Sequence, residues 1–284
     1  GIYGLSFIVF ILSAAIAKLM NDRRPVLIGG IALALCFSMF GFGTYRLSQS
    51  QPAFVDNVKI RIVQVPFSQK EKFDPDKSIA IVNDFLRLSI DPGLSDITHL
   101  VWPEGAVVGM ALENRPLLKA MGQLLSSQTE TPPFWLLNTL RYELEPVPGK
   151  APRELYYNTS AVVAFDNIGT PVVTRMNDKR RLVPFGEFFP GGRFVEELGS
   201  KTLSTSLASI TPAPEKTLAS FPRAPRGSPQ ICYEIIFSGF TPRPENGSRA
   251  EWILNQSNDA WYGKSVGPAQ HANIAAYRAI EEGV

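Results

Sequence analysis

Cysteine and histidine are scarce. The 284 residues contain two of each, and no CxxC pair or Cys/His cluster has the spacing of a metal site. Cys36 and Cys232 sit in settings too different to form a disulfide framework, so the thiol at 232 is expected to be free. Charge of one sign is lacking too: the net charge is +2 with the signs mixed, which excludes a nucleic-acid-binding surface. There is no initiating Met, no basic stretch ahead of the first apolar run and no small-residue cleavage site, so a secretory signal is a poor reading of the start. No internal repeat stands out.

Apolar sequence is plentiful, 45% of the chain, and unevenly placed. Ile2 to Leu19 is almost wholly apolar, with Lys18 near its end, and Val26 to Tyr45 carries no charge at all. Each run is close to the roughly 20 residues that a helix needs to cross a bilayer. Two spans, 2–19 and 26–45, are therefore expected within residues 1–48. The connector Met20-Asn21-Asp22-Arg23-Arg24-Pro25 is short and basic, which points that turn to the cytoplasm and everything after Tyr45 to the outer face. Gly1 opens directly on an apolar segment and the chain closes as a helix runs out at Val284, so the sequence is expected to be a fragment of a longer protein.

Residues 49–57 read as a polar linker with Pro52, and 58–284 as a second domain. Val58 to Val65 alternates apolar and charged residues with period two, which predicts a strand. Further strands are predicted over Thr98–Trp102, Phe134–Thr139 and Glu251–Asn255, and a hairpin over Tyr156–Phe165 and Pro171–Arg175. Helical spacing marks Ser78–Ser89, Leu117–Leu125 and Gly267–Glu281. Strands alternating with helices indicate an α/β domain in layers. Gly199 to Ser228 is rich in Ser, Thr, Pro and Ala and reads as a long irregular loop, of the kind that often serves as a lid or binding loop.

Three stretches combine ionisable groups with special backbone chemistry. In Val101-Trp102-Pro103-Glu104-Gly105 a strand stopped by proline delivers Glu104 at its carboxyl end. In Asp178-Lys179-Arg180-Arg181 a charge run passes into the rigid apolar Leu182-Val183-Pro184-Phe185; a solvated turn is the default for Arg180 and Arg181, while Lys179 could reach a buried site. In Ile231-Cys232-Tyr233-Glu234 a strand enters a helix, a corner that exposes a nucleophile. Taken alone, Cys232 is better explained as a small buried hydrophobe, the commoner fate of a free cysteine. Together the three supply a thiol, a carboxylate to take its proton and an ammonium for an oxyanion. His99 reads as a core histidine and His271 as structural or lining a site, and a third group to complete a papain-like Cys–His pairing cannot be placed.

Trp102-Pro103-Glu104, Lys179 followed by Leu182-Val183-Pro184-Phe185-Gly186-Glu187, Cys232-Tyr233-Glu234 and Asn258-Asp259-Ala260-Trp261-Tyr262-Gly263 resemble the nitrilase superfamily. More narrowly they resemble its membrane-bound branch, the apolipoprotein N-acyltransferases, and Tyr157-Asn158-Thr159-Ser160 and Gln270-His271 fit the same pattern. The resemblance implies a nitrilase-like αββα four-layer sandwich after the two spans, C-terminally incomplete because the family pattern runs on past Glu282. It implies Glu104 as general base, Lys179 as oxyanion stabiliser and Cys232 as nucleophile, with Glu187, Tyr233, Glu234 and Trp102 in supporting or substrate-binding places. Asn177 and Arg181 depart from it, standing where the family commonly has an aromatic residue and a histidine. The implied reaction moves an acyl group from a phospholipid through a cysteine thioester to the N-terminal amine of a diacylglyceryl lipoprotein. No cofactor or metal is implied. The partners are the phospholipid donor, the lipoprotein acceptor and the lipid bilayer, with a monomeric enzyme at the bacterial inner membrane and its catalytic domain on the periplasmic side. A membrane-tethered amidase acting on a small C–N substrate is the alternative.

Overall fold

The computed structural model describes residues 1–19, 25–49, 54–190, 210–214, 218–242 and 249–284. They fall into two units, Gly1–Asp56 and Asn57–Val284. Residues 20–24 of the connector, 50–53 of the linker and much of the loop expected at 199–228 lie outside the described residues.

The first unit holds α1 (Ile2–Leu19) and α2 (Pro25–Gln49), both long and apolar enough to cross a membrane. At 1.5 Å per residue they extend about 27 and 37 Å, the span of a hydrocarbon core. None of α1 is buried, and Phe7, Phe10, Phe37, Phe40 and Phe42 are all exposed, so these helices expect an apolar surrounding. Their hydroxyls suit one. Ser6 donates to the Ile2 carbonyl (3.0 Å), Ser13 to Val9 (2.9 Å) and Thr44 to Phe40 (2.9 Å), so these three hydroxyls are satisfied within their own helices.

The second unit contains two sheets. β1 (Ile60–Ile62), β2 (His99–Val101), β3 (Phe134–Glu145), β4 (Arg153–Phe165) and β5 (Pro171–Asp178) lie in that order in one sheet. The first two pairings are parallel and the last two antiparallel. β5 therefore runs in the same sense as β1, β2 and β3. β6 (Ala219–Ser220), β7 (Arg226–Ile231) and β8 (Trp252–Gln256) form the second sheet, with β7 and β8 parallel. Among the described residues, the α-helices of this unit are α3 (Gln69–Lys72), α4 (Pro75–Ser89), α5 (Arg115–Ser126) and α6 (Gly267–Glu282).

The layers follow from strand alternation. Leu100 and Trp102, Trp135 and Leu137, and Ala161 and Val163 face α4 and α5, where they meet Phe85, Leu118, Met121 and Leu125. The intervening Val101, Leu136 and Val162 face the second sheet and meet Ala219 and Phe221, with Trp252 and Leu254 packed alongside. α5 comes close to the β4–β5 turn at Gly122, where a Cβ would collide with the Gly169 carbonyl. Asp166 shapes that turn by accepting from the Ile168 and Thr170 amides.

Several elements differ from the sequence expectation. The strand expected over Val58–Val65 is only three residues long, because its partner β2 is confined between the Leu94–Asp96 turn and Pro103. β3 and β4 run well beyond their predicted ends, continued by cross-strand pairs such as Arg141–Tyr157 and Tyr142–Tyr156. Within the expected irregular stretch, β6 and the start of β7 are regular. The helix expected after Cys232 is a short 3-10 turn, Cys232–Ile236.

Candidate active site

The chemistry-bearing residues sit where strands of the two sheets end. Glu104 follows β2 across Trp102 and Pro103, Lys179 follows β5, Cys232 follows β7, and Ser257 and Asn258 follow β8. Each backbone exit is fixed. Trp102 donates its amide to Leu136 (2.8 Å), and its carbonyl accepts from the Gln256 side chain (2.8 Å). Asp178, the last residue of β5, accepts from Arg141 Nε (2.8 Å) and Thr159 Oγ1 (2.6 Å), and the Lys179 amide donates to Asn158 (2.8 Å).

Lys179 is 1% exposed and lies between two carboxylates. Its Nζ donates to Glu187 Oε1 at 2.9 Å and stands 3.7 Å from Glu104 Oε1. Burial by itself would depress the ammonium, but Glu104 and Glu187 more than offset it and hold Lys179 above its ordinary value. The Asn158 amide donates to Glu104 and Glu187 (both 3.0 Å), and Asn158 Oδ1 in turn accepts from Asn138 (2.6 Å). The second oxygen of Glu187 accepts from the Val183 amide (2.8 Å). The carboxylates are thus set by a ladder of amides and one ammonium.

Cys232 occupies the left-handed region at φ +49°, a conformation that costs a non-glycine residue about 1 kcal/mol or more. Three side chains hold this corner. Glu234 Oε2 accepts from the Ile231 amide (2.8 Å), and the Cys232 carbonyl accepts from Asn255 Nδ2 and His271 Nε2 (3.2 Å each). The other ring nitrogen of His271 faces Asp259 (2.8 Å), which also accepts from the Ser257 hydroxyl (2.8 Å). The Cys232 thiol interacts with Glu104, Lys179 and Ser257. Burial first, and then the Glu104 charge, push it up to about 12, against the pull of Lys179. At neutral pH the sulfur therefore keeps its proton, and it has a carboxylate at hand to take it.

Glu234, 2% exposed, ties the two halves together. Its Oε1 accepts from the Arg180 and Arg181 amides (2.7 and 3.0 Å) and its Oε2 from Ile231, so one carboxylate spans the lysine segment and the cysteine corner. Burial lifts its carboxyl above the ordinary range in spite of these amides. Glu234→Gln would turn an NH2 group toward a backbone N–H and should cost about 2–3 kcal/mol of stability in denaturant unfolding. A variant as stable as the wild type would remove this joining role.

Glu104, Lys179, Glu187 and Cys232 come together, with Glu234 directly behind them. Tyr233 packs edge-on against Phe237 (ring centroids 5.0 Å apart) beside the cysteine. The Trp102 ring points the other way, into the core against Phe85 and Trp135, and donates to Ser89 (2.9 Å). Its contribution is to anchor the strand end that carries Glu104. Arg180 is not a solvated charge: its guanidinium lies 4.1 Å from the centre of the Phe240 ring. His99 is wholly buried, between Thr98 and the Pro222 carbonyl. Sequence reasoning gave no role to Asn138, to the Asn158 side chain, to Ser257 or to Lys72; polar residues at inward-facing strand positions were the signal for the first two.

Residues 60–284 match the carbon-nitrogen hydrolase family. The chain is 32% identical to the apolipoprotein N-acyltransferase of Caulobacter vibrioides over 99% of its own length and 51% of that protein. It is 33% identical to the apolipoprotein N-acyltransferase of Allorhizobium ampelinum over 100% of its length and 52% of that protein. It thus spans about half the length of the curated relatives it matches. Among solved structures, a carbon-nitrogen hydrolase from Helicobacter pylori G27 superposes with a TM-score of 0.48 at 14% identity, covering 80% of this chain and 70% of that one. With its family match running from the first strand of the sheet domain to the last residue, the chain belongs to the carbon-nitrogen hydrolases.

Proposed function

We propose that the protein of which this chain forms part is an N-acyltransferase of lipoprotein maturation, working through a Glu104–Lys179–Cys232 triad. The observation that carries this reading is a thiol set among two carboxylates and a buried ammonium, in a chain that holds two apolar helices and is similar along its whole length to apolipoprotein N-acyltransferases. Glu104 takes the proton of Cys232 as the sulfur attacks the ester carbonyl of a phospholipid. Lys179 and backbone N–H groups hold the oxyanion. The C–O bond breaks, Glu104 returns the proton to the leaving alkoxide, and a lysophospholipid departs from the cysteine thioester. The α-amine of a diacylglyceryl-cysteine lipoprotein then attacks the thioester. Glu104 removes its proton, the C–S bond breaks, and the proton returns to sulfur with the amide formed. Glu187 orients Lys179, Glu234 sets the cysteine corner, and Tyr233 lines the approach. The enzyme then works at the inner membrane with its catalytic chemistry on the periplasmic side; the two apolar helices and the basic connector Met20-Asn21-Asp22-Arg23-Arg24-Pro25 support this.

Intact-mass measurement of the full-length protein incubated with phosphatidylethanolamine tests this. One added acyl group, labile to hydroxylamine and absent from Cys232→Ala, is expected. No adduct on protein whose Cys232 still reacts with a thiol probe would overturn lipid acyl transfer and favour a small-molecule amidase.

A further inference from the structure

Beside the triad lie donors that the reaction above does not use. Lys72, at the end of α3, is partly buried and its ammonium makes no hydrogen bond or ion pair with the described residues. Its one recorded neighbour of this kind is the Phe73 ring, 5.5 Å from Nζ. Burial holds it below its ordinary value, and the charge of Glu104 offsets only part of that. Asn258 is 8% exposed; its Oδ1 accepts from the Ala260 amide (3.1 Å), while its Nδ2 is buried without a partner. These two nitrogens converge. A Cβ on Gly105, the residue after Glu104, would collide with Lys72 Nζ and would stand 3.5 Å from Asn258 Nδ2. Gly105 has φ +65° and no side chain, so the backbone leaves both donors room. A third unpartnered donor, the Gln69 amide, lies one turn earlier in the same helix.

Lys72 is held in place. Ser68 and Glu71 form a capping box, with the Ser68 amide donating to Glu71 Oε2 (2.9 Å) and the Glu71 amide to Ser68 Oγ (3.3 Å). A buried donor without an acceptor is costly, and an ammonium beside a buried amide is suited to an anionic oxygen. Glu104 Oε1 is engaged by Asn158 and Lys179 and its Oε2 is buried without a hydrogen-bond partner, yet neither oxygen forms an ion pair with Lys72, so Lys72 and Asn258 keep room for an acceptor from outside.

We infer that Lys72 and the Asn258 amide form an anion subsite beside Glu104 that binds the phosphodiester of the acyl donor. This rests on the acyl-transfer reading above. In a glycerophospholipid only the glycerol carbons separate the reactive ester from the phosphodiester, so an anion site next to the base places the phosphate on one side of Cys232 and the carbonyl over it. Binding energy from the non-reacting phosphate would then align the ester. The subsite selects phospholipids over neutral glycerides of the same acyl chains.

The test compares two donors on the full-length protein in detergent micelles: phosphatidylglycerol and a diacylglycerol with identical chains. The readout is the initial rate of Cys232 thioester formation by intact mass. The wild type should prefer the phospholipid, and Lys72→Met should narrow that preference by about tenfold or more, as expected for loss of one charge-assisted hydrogen bond. Lys72→Arg should restore most of it, which a misfolded protein could not do. Inorganic phosphate, added as competitor, should slow the phospholipid reaction of the wild type only. Equal loss on both donors would make Lys72 a partner of Glu104 rather than of the lipid and overturn the subsite. Slowing of both reactions by phosphate would assign the donors to free phosphate and overturn the headgroup assignment. A wild type that forms no thioester with either lipid, while its Cys232 alkylates normally, would sink the acyl-transfer reading and the subsite with it.

Discussion

Glu104→Gln should reduce acyl transfer by about a hundredfold to ten-thousandfold while making the Cys232 thiol easier to ionise. The two effects have opposite signs because the carboxylate does two things. As a base it removes the thiol proton at the moment of attack, and as a standing negative charge it helps push the thiol up to about 12. Glutamine keeps the shape and can still accept from Asn158 Nδ2, now 3.0 Å from Glu104 Oε1, but it carries neither charge nor basicity. The onset of thiolate absorbance with rising pH, taken as a difference from Cys232→Ala, should move to lower pH in the variant. The thioester yield with phospholipid should fall. An easily ionised but unproductive cysteine would separate proton removal from thiol acidity as the function of Glu104. Full acyl transfer by the variant would assign the base elsewhere.

How legible the site was depends on what kind of residue is concerned. Glu104 and Cys232 stood out in the sequence because each ends an apolar run that reads as a strand, and Lys179 because its charge run passes into the rigid apolar Leu182-Val183-Pro184-Phe185; the role of each was implied by the family resemblance. The layered α/β arrangement was visible from period-two runs separated by helical spacing. Asn138 and Asn158 were not, since an amide in a strand can be a cross-strand polar pair, and only tertiary contact shows one of them reaching both carboxylates. Glu234 was visible as a carboxylate beside the thiol, but its role could not be read locally. Its partners are the amides of Arg180 and Arg181, more than fifty positions away. The Arg180–Arg181 run misled by half. A charge cluster is normally solvated, and Arg181 is exposed as expected, whereas Phe240 from another segment packs against the Arg180 guanidinium. The short β1 and the extended β3–β4 ribbon reflect partner length, which no single strand encodes. Lys72 gave no signal at all: it lies in a four-residue helix that has no apolar period of its own.

Lys179→Met should be the most destabilising single change in the site, by about 3–5 kcal/mol, a fall in melting temperature of roughly 10 °C for a domain of this size. Methionine fills a similar volume, so the cost is electrostatic. Glu104 and Glu187, 14% and 15% exposed, would face each other with only the Asn158 amide between them. The pH dependence follows from the signs. Lys179 is held above its ordinary 10.5, so its stabilisation is fully present below that value and is lost as the pH rises through the elevated one. Adding Glu187→Gln to Lys179→Met should restore part of the stability, since one unpaired charge is removed. It should restore no acyl transfer, since the oxyanion still lacks its ammonium. Thermal unfolding of the four members of this cycle gives the coupling between Lys179 and Glu187 directly. A coupling near zero would mean that the 2.9 Å contact contributes nothing to the fold and that Lys179 is retained for chemistry alone. A large coupling joined to a dead double variant would show one buried ammonium serving both the packing of the two carboxylates and the charge that develops at the reacting carbonyl.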